Sequence, residues 1–301
     1  MATALLDGFC KQAANLSLSG IVVRQNGKEI ARHHWEKETR RTQYSASKTF
    51  TSAAVGMAVA EGLFSLTDPV ADFFSDELPP NPDLMLKQLT VRDLLVMAVG
   101  QDQPYLLGET RKAVEGSWPR FALSRPFVCS PGTRFQYTNV GAYLAGVILQ
   151  RLTGGTLVDF LMPRLFEPLG MERPFWESDP EGYTFGAAGL EITVGELSRF
   201  GQVYLDGGRW KGRELIPSGW VAESSKSHIE TLGFADDLTD NRYGYGYQIW
   251  RGRHNTYRAD GVYGQYCIMI PDRDAVVAVN ANEPDRQLIL DAVWAEILPR
   301  L

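Results

Sequence analysis

Strand-forming runs sit at the two ends of this chain and helix-forming runs fill its middle, and that order restricts the fold more than any other feature. Gly20 to Arg24 and Lys28 to Ala31 flank Gln25-Asn26-Gly27. The Asn-Gly pair accepts positive φ, so the start reads as a β-hairpin. In the last third, Tyr243 to Trp250, Tyr266 to Ile270 and Ala275 to Asn280 are β-branched or aromatic runs broken by Gly, Pro-Asp and Asn, and they read as strands. Between the ends, a helix is predicted from about Ser47 to Glu61, with Phe50, Ala53, Ala54, Met57 and Ala58 on one face and Gly62 to end it. Thr90 with Asp93, and Thr193 with Glu196, have capping-box spacing. Asn139 to Leu152 reads as a helix closed by Gly154-Gly155, and Arg286 to Leu298 as a closing helix. The expected fold is α+β: one antiparallel sheet from the N- and C-terminal segments, flanked by helices, with a mostly helical piece inserted.

Composition excludes several function classes. The 301 residues carry 30 basic and 36 acidic side chains, a formal charge of −6, which leaves no electrostatic footprint for nucleic acid or an anionic membrane. The longest apolar run, around Val140 to Leu149, is half the ~20 residues that crossing a bilayer takes. The start has Asp7 and Lys11 inside its apolar stretch and does not read as a secretory signal. A soluble, cytoplasmic protein is expected. Cys10, Cys129 and Cys267 are scattered and odd in number, so they read as small buried thiols and not as a disulfide scaffold or zinc site. His33, His34, His228 and His254 lack metal spacing, and neither a P-loop nor a G-x-S-x-G elbow is present. No metal or organic cofactor is expected.

Ser45-Ala46-Ser47-Lys48 is the first candidate for chemistry. Ser and Lys three residues apart at a helix start share a face, so the Lys48 amine can reach the Ser45 hydroxyl. A desolvated lysine can take the serine proton, and the helix start offers free N–H groups to a developing oxyanion. Spacing alone is weak: on the order of one S-x-x-K is expected by chance in a chain this long. A capping serine beside a solvated lysine is the structural alternative.

The flanks add specificity. Tyr44 to Thr51, Thr90-Val91-Arg92-Asp93-Leu94-Leu95, Pro131 to Asn139, Phe166-Glu167-Pro168-Leu169-Gly170-Met171 and Tyr245 to Trp250 form ordered blocks. Together they resemble the serine β-lactamase and D,D-peptidase superfamily, nearest its class C β-lactamase and esterase branch, from about residue 20 onward. The resemblance implies a β-lactamase/transpeptidase-like fold in a single domain, with an α/β part at about 1–65 plus 190–301 and a mainly helical part at about 66–189. It also makes Tyr137 and Asn139 the family's Tyr-x-Asn motif. A phenol beside an ammonium ionises more easily, so Tyr137 could serve as base, and the sequence leaves open whether it or Lys48 takes the proton. Asn139 would hold Lys48 and donate to the substrate's acyl-side amide. A core aromatic and a helix N-cap are the structural alternatives for these two. The segment from Gly100 to Gly116, with Trp118 and Phe121, is expected as a loop over the cleft.

The family's third motif, Lys-Thr-Gly or His-Thr-Gly, is altered here to Ala259-Asp260-Gly261, followed by Val262. Gly261 still permits close backbone approach, and the Val262 N–H would complete an oxyanion hole with the Ser45 N–H. Asp260 is expected to repel anionic substrates, by about 1–4 kcal/mol at a partly desolvated 4 Å, unless it pairs with Arg258 or another base. The resemblance therefore implies a serine hydrolase acting through an acyl-enzyme on a small-molecule or short peptide-like ester or amide. Ser45, Lys48 and Tyr137 would be catalytic, Asn139, Asp260, Gly261 and Val262 would bind substrate, and β-lactam hydrolysis would be poor. A slow or inactive binding or scaffold protein is the alternative.

Overall fold

The computed structural model describes residues 2–234 and 239–301. In chain order the strands are β1 (Leu18–Gln25), β2 (Lys28–His34), β3 (Arg41–Thr42), β4 (Glu191–Ile192), β5 (Arg209–Trp210), β6 (Arg213–Glu214), β7 (Trp250–Arg251), β8 (Tyr257–Gly261), β9 (Gln265–Ile270) and β10 (Ala275–Ala281). The helices are α1 (Ala2–Gln12), α2 (Ser47–Ala60), α3 (Leu84–Gln88), α4 (Val91–Leu95), α5 (Gly108–Lys112), α6 (Trp118–Leu123), α7 (Val140–Thr153), α8 (Leu157–Leu161), α9 (Val194–Leu205), α10 (Ser218–Ser224) and α11 (Arg286–Ala292).

An antiparallel sheet runs in the order β2-β1-β10-β9-β8-β7, so the two ends of the chain meet at its centre, with Val22 opposite Ala278. Asn26 (φ 51°) and Gly27 (φ 73°) supply the two left-handed corners of the β1–β2 hairpin. Side chains alternate across the sheet. Val22, Ala259, Cys267, Met269, Val276 and Ala278 enter the core shared with α2 and α7. Ile21, Val23, Ile268, Ile270, Val277 and Val279 enter a second core under α1 and α11. A sheet covered on both faces has strands that are buried throughout and mostly apolar, as β9 and β10 are.

Helix α2 is the spine of the first core. Residues Ser47 to Ala58 are all buried, and Phe50 stacks on Phe200 of α9 with centroids 3.7 Å apart. Both capping boxes form: the Thr90 and Thr193 hydroxyls accept from the Asp93 and Glu196 N–H groups, and the carboxylates accept from the Thr90 and Thr193 N–H groups. Helix α7 ends at Gly154 with φ 72°. Among the described residues no single helix is long and apolar enough to cross a membrane.

Three local expectations change. The run from Tyr243 to Trp250 is a strand only at its end. Gly244 (φ 97°) and Gln248 (φ 59°) turn the backbone, and its N–H groups go to Ile229, Ser224 and Leu95 instead of to a neighbouring strand. The closing helix stops as α-helix at Ala292 and continues as a wider π turn, Val293–Ile297. Of the three free thiols only Cys267 is fully buried, and burial pushes it up to about 12; Cys10 and Cys129 are half-buried.

Candidate active site

Ser45 lies in a short 3-10 turn, Tyr44–Ala46, immediately before α2. The residue ahead of that turn, Gln43, is fully buried and fastens it to the sheets. Its N–H donates to the Leu190 carbonyl at 2.7 Å. Its side chain donates to the carbonyls of Arg41 and Ile192 and accepts from Asn280 of β10, which also donates to Gln265 of β9. A buried amide network satisfied on every side is rigid, because any displacement strands a polar group in a low dielectric. From the other side, β8 presses directly on the turn. A Cβ at Gly261 would fall 2.3 Å from the Gln43 carbonyl oxygen, so the glycine serves the contact between two backbones and brings Val262 alongside Ser45.

The Lys48 amine is buried, and its Nζ has three partners: Ser45 Oγ at 3.0 Å, Asn139 Oδ1 at 2.7 Å and the Ala187 carbonyl at 2.8 Å. The last two can only accept. A neutral amine has two N–H groups and one lone pair, so donating to those two acceptors aims the lone pair at the Ser45 hydroxyl. Burial pushes Lys48 down to about 7, against which the more distant charge of Asp260 acts upward. The amine is therefore uncharged above about pH 7, and kcat/KM is expected to rise through that value and to fall about tenfold per pH unit below it. A profile flat from roughly pH 5 to 9 would exclude Lys48 as the proton acceptor. For the fold the sign is also upward: the cost of burying the ammonium is full below about pH 7 and fades as pH climbs toward 10.5, where the unfolded chain loses the proton too.

Asn139 occupies the N-cap position of α7, but its side chain does not cap that helix. It accepts from Lys48 and donates one amide hydrogen to the Leu106 carbonyl at 2.7 Å. Tyr137 faces the same amine, with Lys48 Nζ 5.1 Å from its ring centroid, and it stacks on Trp250 at 5.7 Å. Trp118 packs in the helical core against Tyr143 and Phe185, and Phe121 against Tyr105. It is Leu107, from the same stretch of chain, that reaches the cleft. His254 sits on an exposed turn against Trp294.

The structure removes the premise of an unpaired charge at Asp260. Its carboxylate is buried and held by Arg258 Nε at 2.9 Å and Arg286 Nη1 at 3.3 Å. Arg258 is itself 1% exposed and also donates to Asn241 Oδ1 and the Asp240 carbonyl. Pairing with Arg258, the alternative allowed by the sequence, is the arrangement found, so the charge of Asp260 does not stand unopposed. The side chain of Ala259, on the opposite face of β8, belongs to the main core. Asp260→Ala is expected to lower unfolding free energy by roughly 3–5 kcal/mol, because it leaves a buried guanidinium without its counter-charge. Urea unfolding measures this, and an unchanged midpoint would refute it.

Ser45, Tyr137, Asp260 and Val262 line one cavity of about 340 Å³, with Leu107, Phe234 and Trp250 as its apolar walls. A larger cavity of about 620 Å³ between Phe135 and Ile229 shares Phe234 but contains neither Ser45 nor Lys48. The smaller one is the cavity onto which Ser45 opens, with the buried Lys48 amine 3.0 Å behind its hydroxyl. Gln43, Asn280, Gln265 and Arg286 support this site without any sequence signal; single buried amides and a distant arginine carry no spacing.

A family model described as Beta-lactamase matches residues 9–297. The chain is 26% identical over 156 residues to the 6-aminohexanoate-dimer hydrolase of Paenarthrobacter ureafaciens, covering 50% of this chain and 40% of that protein. It is 29% identical over 148 residues to the lovastatin esterase of Penicillium rubens, covering 42% and 37%. The matches thus span well under half of those relatives' length. The octameric penicillin-binding protein homologue from Pyrococcus abyssi superposes with a TM-score of 0.75 at 22% identity, covering 96% of this chain and 76% of that one, a likeness of fold.

Proposed function

Because the chain belongs to the Beta-lactamase family, we propose that it is a serine hydrolase that cleaves ester or amide bonds through an acyl-enzyme. The observation that carries this reading is the Lys48 amine, held 3.0 Å from Ser45 Oγ with its other donors committed and its proton affinity lowered to about 7. Ser45 Oγ attacks the carbonyl carbon while its proton passes to Lys48. The Ser45 and Val262 N–H groups receive the oxyanion. Collapse expels the leaving group, which takes the proton from the Lys48–Tyr137 pair, and water repeats the sequence on the acyl-enzyme. Asn139 keeps the amine in place.

The apolar walls at Leu107, Phe234 and Trp250 suit a neutral aliphatic or aryl group on a small or short peptide-like substrate. Ala259 contributes no cation for a substrate carboxylate, and Arg286, which also lines the cavity, is bonded to Asp260, so β-lactam turnover is expected to be poor. A non-catalytic binding protein is the second reading, and the lost cation at Ala259 is what favours it; an amine poised on Ser45 argues for chemistry. A fluorophosphonate probe decides between them. Stoichiometric labelling, mapped by mass spectrometry to the peptide containing Ser45, is expected; a folded protein that takes no label overturns the hydrolase reading.

A further inference from the structure

Two tyrosines outside the reacting set bracket the two N–H groups assigned to the oxyanion. Tyr44 precedes Ser45 with φ 45°, and Tyr263 follows Val262 with φ 65°. Left-handed backbone is unfavourable for a bulky side chain and persists only where the surroundings over-determine it. Tyr44 opens the 3-10 turn that carries Ser45. Tyr263 is the third residue of the turn closed by the Gly264 N–H on the Gly261 carbonyl at 3.2 Å, a position that left-handed turns normally give to Gly or Asn. The same bond leaves the Val262 N–H without a partner inside the turn.

The two strained residues hold one another. Their rings meet edge to face, with centroids 5.4 Å apart and planes at 70°, the arrangement favoured by aromatic quadrupoles. Tyr263 is 37% exposed and Tyr44 half-buried, so the hydrophobic core does not account for the contact. Below it, Gly261 lies against the Gln43 carbonyl. The two turns are therefore joined at two levels, backbone on backbone underneath and ring on ring above.

We propose that Tyr44 and Tyr263 are positioning residues that lock the Ser45 and Val262 N–H groups at the separation the developing oxyanion requires. This rests on the hydrolase reading above. The two donors come from opposite ends of the chain, and an oxyanion hole works only when its donors stand about 2.7–3.1 Å from the charge before it forms. Loss of the ring contact frees the Val262 turn to move relative to Ser45 without touching either amide.

The test is kcat and KM for p-nitrophenyl butyrate, together with the rate of fluorophosphonate labelling, on Tyr263→Phe, Tyr263→Ala, Tyr263→Gly and Tyr44→Phe, each with its melting temperature. Ala and Gly variants are expected to lose about 10–100-fold in kcat and in labelling rate, somewhat less than removal of one donor, with KM within about threefold. Both Phe variants keep the ring contact and stay within about threefold of wild type. Tyr263→Gly relieves the strained backbone, so it melts no lower than Tyr263→Ala while losing as much activity, which a purely structural role does not produce. Ala and Gly variants with wild-type kcat and labelling rate, a loss confined to KM, or a Phe variant as impaired as Ala would each overturn the proposal. Failure of the hydrolase reading looks different: the wild type itself neither turns over nor takes the label.

Discussion

Replacing Lys48 by methionine is expected to lower kcat/KM for an aryl ester about 10²–10⁴-fold, the range for removal of a positioned proton acceptor. Methionine matches lysine in length and fills the same buried channel without a proton-accepting atom. It strands the Asn139 Oδ1 and Ala187 carbonyl acceptors, at roughly 1–3 kcal/mol each. It also removes an amine whose burial is unfavourable, as its lowered proton affinity records. These opposing terms leave a folded protein, and a melting curve taken beside the kinetics separates chemistry from unfolding. Retention of activity within tenfold of wild type would remove Lys48 from the reaction and with it the central step of the proposed mechanism.

Gly261→Ala is expected to be nearly as damaging to turnover, although it adds only a methyl group. That carbon would sit 2.3 Å from the Gln43 carbonyl oxygen and 3.3 Å from the Ala46 nitrogen, both backbone atoms. The Gln43 carbonyl already accepts the Ala46 N–H at 3.0 Å, and the Gln43 side chain is tied to Arg41, Ile192 and Asn280. The turn cannot give way locally, so β8 shifts outward and carries Val262 from Ser45. A displacement near 1 Å at a reacting site is worth about 100-fold in rate, and overpacking a tight contact costs about 1–3 kcal/mol in stability. Steady-state kinetics and urea unfolding measure the two effects. A variant with wild-type kcat would show that the contact between β8 and the Ser45 turn is irrelevant to catalysis.

Local chemistry made parts of this molecule legible in the chain. The hairpin at Asn26-Gly27, the two capping boxes and the left-handed end of α7 at Gly154 are decided by residues within four positions of one another, so their physics is visible in a short window. The pairing of Ser45 with Lys48 is of the same kind, since one helical turn brings i and i+3 together. The stretch from Tyr243 to Trp250 misled for the complementary reason. Its aromatic, strand-like composition reflects burial, while its backbone bonds go to distant carbonyls at Ser224 and Leu95. Asp260 misled because its charge is cancelled partly by Arg286, on a helix after the last strand of the sheet.

From its order of residues alone this chain was bound to place strands at both ends, a helix behind Ser45, and an amine one turn from that hydroxyl, because hydrogen bonds and side-chain spacing within a single turn of backbone suffice for each. Tertiary structure decided what those pieces do. Closing the sheet between the first and last strands seats Gln43 between Ile192 and Asn280 and sets Gly261 on its carbonyl. Folding α2 into the core strips the water from Lys48 and so lowers its proton affinity. Desolvation and opposing charge depend on everything packed around a group, and no short window of sequence contains that information.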